Sequence, residues 1–111
     1  MALNNKVWVS TGNVSSTELQ TFFGAAVSLS GDGKLMTVGE PSINANKGRC
    51  TVYERNADGT SWKSVFVLNG DEEEMGLGIR CKLARNGKRF VVGAPGAQNT
   101  QGRVEVYEDT G

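Results

Sequence analysis

Histidine is missing from this 111-residue sequence, and proline and cysteine are scarce at two each. Without an imidazole the usual general base is gone, and so are histidine-containing triads and histidine metal ligands. Charge of either sign is not in excess: 12 Lys and Arg balance 12 Asp and Glu. No net field therefore draws the chain to nucleic acid or an anionic membrane, and neither is expected as a partner. No apolar run reaches membrane-spanning length, and Met1–Lys6 lacks the apolar stretch of a signal peptide. That leaves a cytosolic chain or an export signal outside this sequence, so the compartment stays open. Cys50 and Cys81 have no C-x-x-C spacing and sit in alternating apolar stretches. They read as buried free thiols, although their oxidation state is not fixed by sequence.

Glycine, by contrast, is abundant at 15 residues, about twice the usual ~7%. The chain also repeats itself. A shift of 54 positions superposes Trp8 on Trp62, Gly24 on Gly78, Leu29 on Leu83, Gly33-Lys34 on Gly87-Lys88 and Val38-Gly39 on Val92-Gly93. Pro41 falls on Pro95, Gly48-Arg49 on Gly102-Arg103, and Val52-Tyr53-Glu54 on Val106-Tyr107-Glu108. In all, 15 of 57 paired positions are identical without a gap, where chance would give roughly four.

Within each unit apolar residues alternate between turn signals, the pattern of half-buried strands. The first strand is Ala25 to Ser30 and, in the copy, Ile79 to Leu83. Asp32-Gly33 and Asn86-Gly87 then predict tight type I′ hairpin turns. The second strand, Leu35 to Val38 or Arg89 to Val92, ends before Pro41 or Pro95, which cannot donate to a ladder. Polar stretches from Ser42 to Lys47 and Gly96 to Gln101 read as exposed loops. The third strand is Gly48 to Glu54 or Gly102 to Glu108; the fourth is Trp62 to Leu68, with its counterpart at Val7 to Val14. Ser15 to Phe22 has room for one short turn. The fold class is all-β.

Phe23-Gly24, Val27 to Ser30, Asp32-Gly33, Val38 to Pro41, and Gly48 through Tyr53 resemble an FG-GAP repeat, the blade unit of integrin α-like β-propellers. Leu77-Gly78 and a complete Gly93-Ala94-Pro95 continue the resemblance in the second unit, so it covers about Val7 to Tyr107. It implies two four-stranded antiparallel blades and makes Phe23, Gly24, Gly39, Pro41, Gly78, Gly93 and Pro95 repeat-defining structural residues. The strand order is 4′-1234-123: a fourth strand in residues 1–14, a full blade in 23–68 and three strands of a second in 77–108. Two blades cannot close a ring that takes four to eight. The expectation is head-to-tail association, each copy lending its Trp8 strand to a neighbour, with a trimer of six blades ahead of a tetramer of eight. The alternatives are a piece of a longer FG-GAP propeller and an engineered building block.

Many FG-GAP units carry a calcium loop of alternating Asp and Asn oxygens. Here the matching turns offer Asp32 alone and, in the second unit, no carboxylate but Lys82 and Arg85. No calcium and no other cofactor is expected. Asp71-Glu72-Glu73-Glu74 reads as a solvated acidic loop, its carboxylates repelling one another, and not as a cation cage. Arg80, Lys82, Arg85, Lys88 and Arg89 read as surface charge, with an anion site or a contact to the acidic loop as the other options. Trp8 and Trp62, with Tyr53 and Tyr107, are inter-blade packing residues or, as in small two-blade lectins that trimerise, platforms for a sugar. No catalytic set is present. The expected function is a non-catalytic binding or scaffold module whose partner is itself, with a protein or glycan ligand; the alternative is a lectin.

Overall fold

The computed structural model describes residues 6–111. Two antiparallel sheets account for its regular structure. The first contains β1 (Ala26–Leu29), β2 (Leu35–Glu40), β3 (Arg49–Arg55) and β4 (Trp62–Asn69) in sequential order. The second contains β5 (Arg80–Leu83), β6 (Arg89–Ala94) and β7 (Arg103–Glu108), again in order. Each strand lies within a residue or two of its expected bounds, and the all-β class holds.

The β1–β2 and β5–β6 hairpins differ from expectation in their turn. Of each Asp-Gly or Asn-Gly pair only the glycine is left-handed, Gly33 at φ 73° and Gly87 at φ 72°. A type I′ turn needs positive φ at both central residues. The loops are instead one step longer, closed by Gly33 N donating to Ser30 O and Gly87 N to Ala84 O, both at 2.9 Å. Asp32 and Asn86 are there for their side-chain oxygens, which accept from the Lys34 and Lys88 amides at 2.9 Å. The backbone bond from Lys34, followed by one from Ser30, holds the Asp32 carboxyl below its ordinary range.

The β2–β3 and β6–β7 connections are not the wholly exposed loops their composition suggests. Each contains a tight turn, Ile43–Asn46 and Ala97–Thr100, and seats its first residue in the interior: Ile43 and Ala97 are fully buried. The three residues after it are left-handed in both loops and turn the chain back, Asn44 to Asn46 in one and Gln98 to Thr100 in the other.

Strand register fixes which side chains share a face. Opposite residues in an antiparallel pair point the same way, so the pairs Ala26↔Gly39↔Cys50↔Leu68 and Leu35↔Glu54 belong with Val52↔Phe66. That face of the first sheet packs on the face of the second that carries Cys81, Leu83, Phe90, Val92, Ala94 and Tyr107. The seam between them is the hydrophobic core. At its outer end Phe90 stacks on Tyr107 with centroids 5.2 Å apart, and Phe66 tilts against both.

The two backbones touch where glycines leave room. A Cβ on Gly39 would lie 1.9 Å from Gly78 O, and Gly48 forms a parallel bridge to Leu77. These contacts position everything beyond the seam.

Candidate functional site

The repeat gives the seam residues counterparts 54 positions away, and several of these, Val27, Leu29, Val104 and Val106 among them, lie on exposed sheet faces, while Val38, the counterpart of Val92, is itself buried. On the outer face of the first sheet are Val27, Leu29, Met36, Val38 and Tyr53, equivalent to Cys81, Leu83, Phe90, Val92 and Tyr107. Val27 is 63% exposed, whereas Cys81 is buried. On the outer face of the second sheet are Val91, Val104 and Val106, equivalent to Thr37, Cys50 and Val52. Val106 is 63% exposed and Val52 is 7% exposed. Exposed apolar residues grouped on one sheet face are the usual sign of an interaction surface.

β7 is an open edge. Its partner on one side is β6, and no described strand pairs with the other. The expected fourth strand spans residues 1–14, of which 1–5 lie outside the description; its Val7 to Val14 part forms no strand within the single chain. Trp8 is 91% exposed. The segment is nonetheless placed: Thr11 to Val14 line a groove over the outer face of the first sheet together with Leu29 and Met36. Across the seam a second groove is lined by Val65, Phe66, Leu83 and Phe90. These are the residues equivalent to Thr11, Gly12, Leu29 and Met36. Thr11 and Gly12 thus line their groove as Val65 and Phe66, their counterparts in the repeat, line the other. The expected turn within Ser15 to Phe22 is a set of bends instead.

The other candidates resolve differently. Trp62 begins β4, half-exposed, and faces the groove that contains Thr11 to Val14. Trp8 is not brought into the core. Tyr107 belongs to the seam, and its hydroxyl donates to Glu105 Oε1; that bond, with burial, pushes its pKa up to about 12. Tyr53, half-buried on the open face, is raised by burial first and by Glu40 second.

The acidic run is more ordered than a solvated loop. Asp71 and Glu72 both pair with Arg103, at 3.1 and 3.2 Å, Glu72 Oε1 accepts from the Gln98 amide at 2.9 Å, and Glu74 accepts from Asn46 Nδ2. Repulsion within the run is relieved because Asp71 and Glu72 share the Arg103 cation while Glu74 turns away to Asn46. The basic cluster is not that partner: Arg89 pairs with Glu108 at 2.7 Å, and the acidic run takes Arg103. Sequence spacing missed Arg103 because it lies some 30 residues away and is reached only through the β6–β7 fold.

One buried ion pair also escaped the sequence. Glu40, 1% exposed, accepts from Arg49 Nη2 at 2.8 Å and from Ser16 Oγ at 2.5 Å. Burial works against its charge, but the bonds from Ser16, Thr21 and Arg49 outweigh that and hold the carboxyl below its usual range. Cys50 and Cys81 are free and buried side by side in the seam. The hydrogen bond between the thiols, with burial adding to it, keeps the Cys50 proton on well above the usual thiol range.

Among the described residues no three or more Cys, Asp or Glu converge as metal ligands would, and no helix is long and apolar enough to cross a membrane. No family model matches the chain, and no curated protein matches it.

Proposed function

We propose that the chain is a two-blade β-propeller module of FG-GAP type that assembles head to tail into a closed ring and serves as a non-catalytic binding scaffold. The observation that carries this reading is the asymmetry of the two ends. One end offers three strands with an open β7 edge; the other offers the Thr11 to Val14 segment, the counterpart of part of β4 in the repeat, which pairs with no described strand. An unpaired edge with exposed valines is a template for strand addition. Because donor and acceptor are different surfaces, the contact is heterologous, and it closes when the rotation per copy permits. Two blades per chain give six blades in a trimer, within the range of four to eight that rings adopt.

Solution mass tests the reading. Three times the single-chain mass supports the six-blade ring, and a stable single chain at high micromolar concentration overturns it. Deleting residues 1–14 removes the donor strand and reduces the wild-type assembly to single chains.

Trp8 favours a second reading for the assembled module. An indole open to solvent is a stacking surface for a sugar ring, which makes the scaffold a lectin. Glycan-array binding that Trp8→Ala abolishes without changing the mass supports it; an empty array removes it.

A further inference from the structure

Each repeat has a loop at the β2–β3 or β6–β7 position with left-handed, non-glycine residues. Such residues are sterically strained and persist where surrounding contacts demand them. In the first repeat the demand is visible. Asn44, Ala45 and Asn46 are left-handed at φ 56°, 56° and 60°; Asn44 O closes the loop on Lys47 N, and the next three carbonyls face the segment ahead of β5. Ala45 O accepts from Glu74 N at 3.2 Å, Asn46 O from Gly76 N at 2.8 Å and Lys47 O from Leu77 N at 3.1 Å. The Glu74 to Gly78 segment is shaped to match, with Glu74, Gly76 and Gly78 all left-handed. This is a backbone latch between consecutive repeats.

The second repeat builds the same socket. Gln98, Asn99 and Thr100 have φ 55°, 54° and 70°. Yet among the described residues the carbonyls equivalent to the acceptors Asn46 and Lys47, those of Thr100 and Gln101, receive no backbone hydrogen bond. The plug is repeated too, at the other end of the chain. Gln20, Phe22 and Gly24 are left-handed at φ 59°, 56° and 92°, equivalent to Glu74, Gly76 and Gly78. The segment is held in this shape by the same bonds as its copy, Thr21 O accepting from Ser42 N, Phe22 O from Ala25 N and Gly39 O from Gly24 N, while the Phe22 side chain stays exposed.

Glycines tell the same story by a different route. Gly39 is a glycine because a Cβ would meet Gly78 O. Its equivalent Gly93 has only Arg80 atoms at 3.9 and 4.0 Å and an ordinary backbone; around Gly24, equivalent to Gly78, the space is empty. Nothing among the described residues of one chain requires Gly93 to lack a side chain. Charge is also complementary. Gly31 N donates to Arg85 O across the internal seam at 2.7 Å; in the shifted contact Arg85 takes the place of Gly31 and comes beside the Asp32 carboxylate of the neighbour.

We infer that the Gln98–Gly102 loop and the β6 backbone at Gly93 form a docking surface for the Gln20–Gly24 segment of a second copy of this chain, reproducing between molecules the latch that Asn44–Gly48 makes with Glu74–Gly78 within one. The inference rests on the head-to-tail reading and adds to it the residues of the joint. The donated strand and the latch belong to one interface: the copy that inserts its plug also lays its N-terminal segment along β7.

Gly93→Ala separates the two. The new methyl is accommodated in the single chain but falls on the Gly24 carbonyl of the neighbour, as a Cβ on Gly39 would fall on Gly78. Sedimentation of the full chain is expected to show association weakened by roughly 100-fold or more, with circular dichroism unchanged. Leu29→Asp, on the exposed face beside the plug, is expected to do the same from the other side. Mixed in equal amounts, the two variants are expected to yield a species of two chains and nothing larger, because each keeps one sound surface. If wild type assembles and deletion of residues 1–14 abolishes assembly while Gly93→Ala assembles as wild type, the latch is wrong and the strand exchange stands. Variants that fail to pair on mixing also overturn the latch. A wild-type chain that stays single overturns both.

Discussion

Arg49 and Arg103 occupy one position in two repeats, and they are held in different ways. Arg49 closes on Glu40, a carboxylate on the neighbouring strand sealed from solvent and shared with Ser16. In the second repeat Ala94 replaces Glu40, and Arg103 reaches Glu105 at 2.8 Å along its own strand, then Asp71 and Glu72 at the surface. Gly39 and Gly93 diverge likewise: the first is pressed against another backbone, the second is open. The repeat preserves positions, while the environment decides what each position contributes. Residues at the internal seam carry stability, and the same residues at the chain's two ends are free for contacts with a neighbour.

That comparison breaks most visibly at the glycines. Gly39→Ala forces a methyl to within 1.9 Å of Gly78 O and is expected to cost about 3 kcal/mol or more. Gly93→Ala is expected to change the dissociated chain by less than about 0.5 kcal/mol. Urea unfolding at low micromolar concentration measures both, and equal effects would end the distinction. Next in size is the buried carboxylate. Glu40→Ala leaves Arg49 and Ser16 without their acceptor and is expected to cost about 2–3 kcal/mol, against about 0–1 kcal/mol for Glu105→Ala, whose arginine keeps two other partners.

The valines sharpen the contrast at a smaller scale. Val52→Ala in the seam is expected to cost about 2 kcal/mol, and Val106→Ala on the open face no more than about 0.5 kcal/mol in the dissociated chain. The smallest effect expected is in acid. Glu40 titrates below its ordinary value of 4.5 in the folded chain and at that value when unfolded. In the window between the two the unfolded chain binds the extra proton, so stability present above pH 4.5 is lost as the pH falls through the folded value. Unfolding measured from about pH 6 to about pH 3 should fall less steeply in Glu40→Gln than in wild type; an identical slope would show that Glu40 is not the group responsible.

The strands were readable because alternation and the 54-residue shift are local or periodic signals. Cys50 and Cys81 as buried thiols were readable for the same reason. Ile43 was not: it sits in a polar stretch, and only the turn at Asn44 to Asn46 shows that it is directed inward. The Asp-Gly turns were misjudged because the dipeptide permits two left-handed residues without requiring them. Glu40 and the acidic run depend on Ser16, Arg49 and Arg103, partners that the sequence gives no spacing for. Trp8 shows the opposite limit: its strand pattern is clear, but within one chain that pattern has no strand to pair with.

The two thiols give the seam a clock. Cys50 and Cys81 belong to different sheets and are closed off from solvent while those sheets are in contact. A maleimide reaches Cys50 only when the seam opens, so its labelling rate in excess reagent reads how often the two halves part. The wild-type chain thus reports its own breathing, and a ring that holds both halves in place would slow that rate.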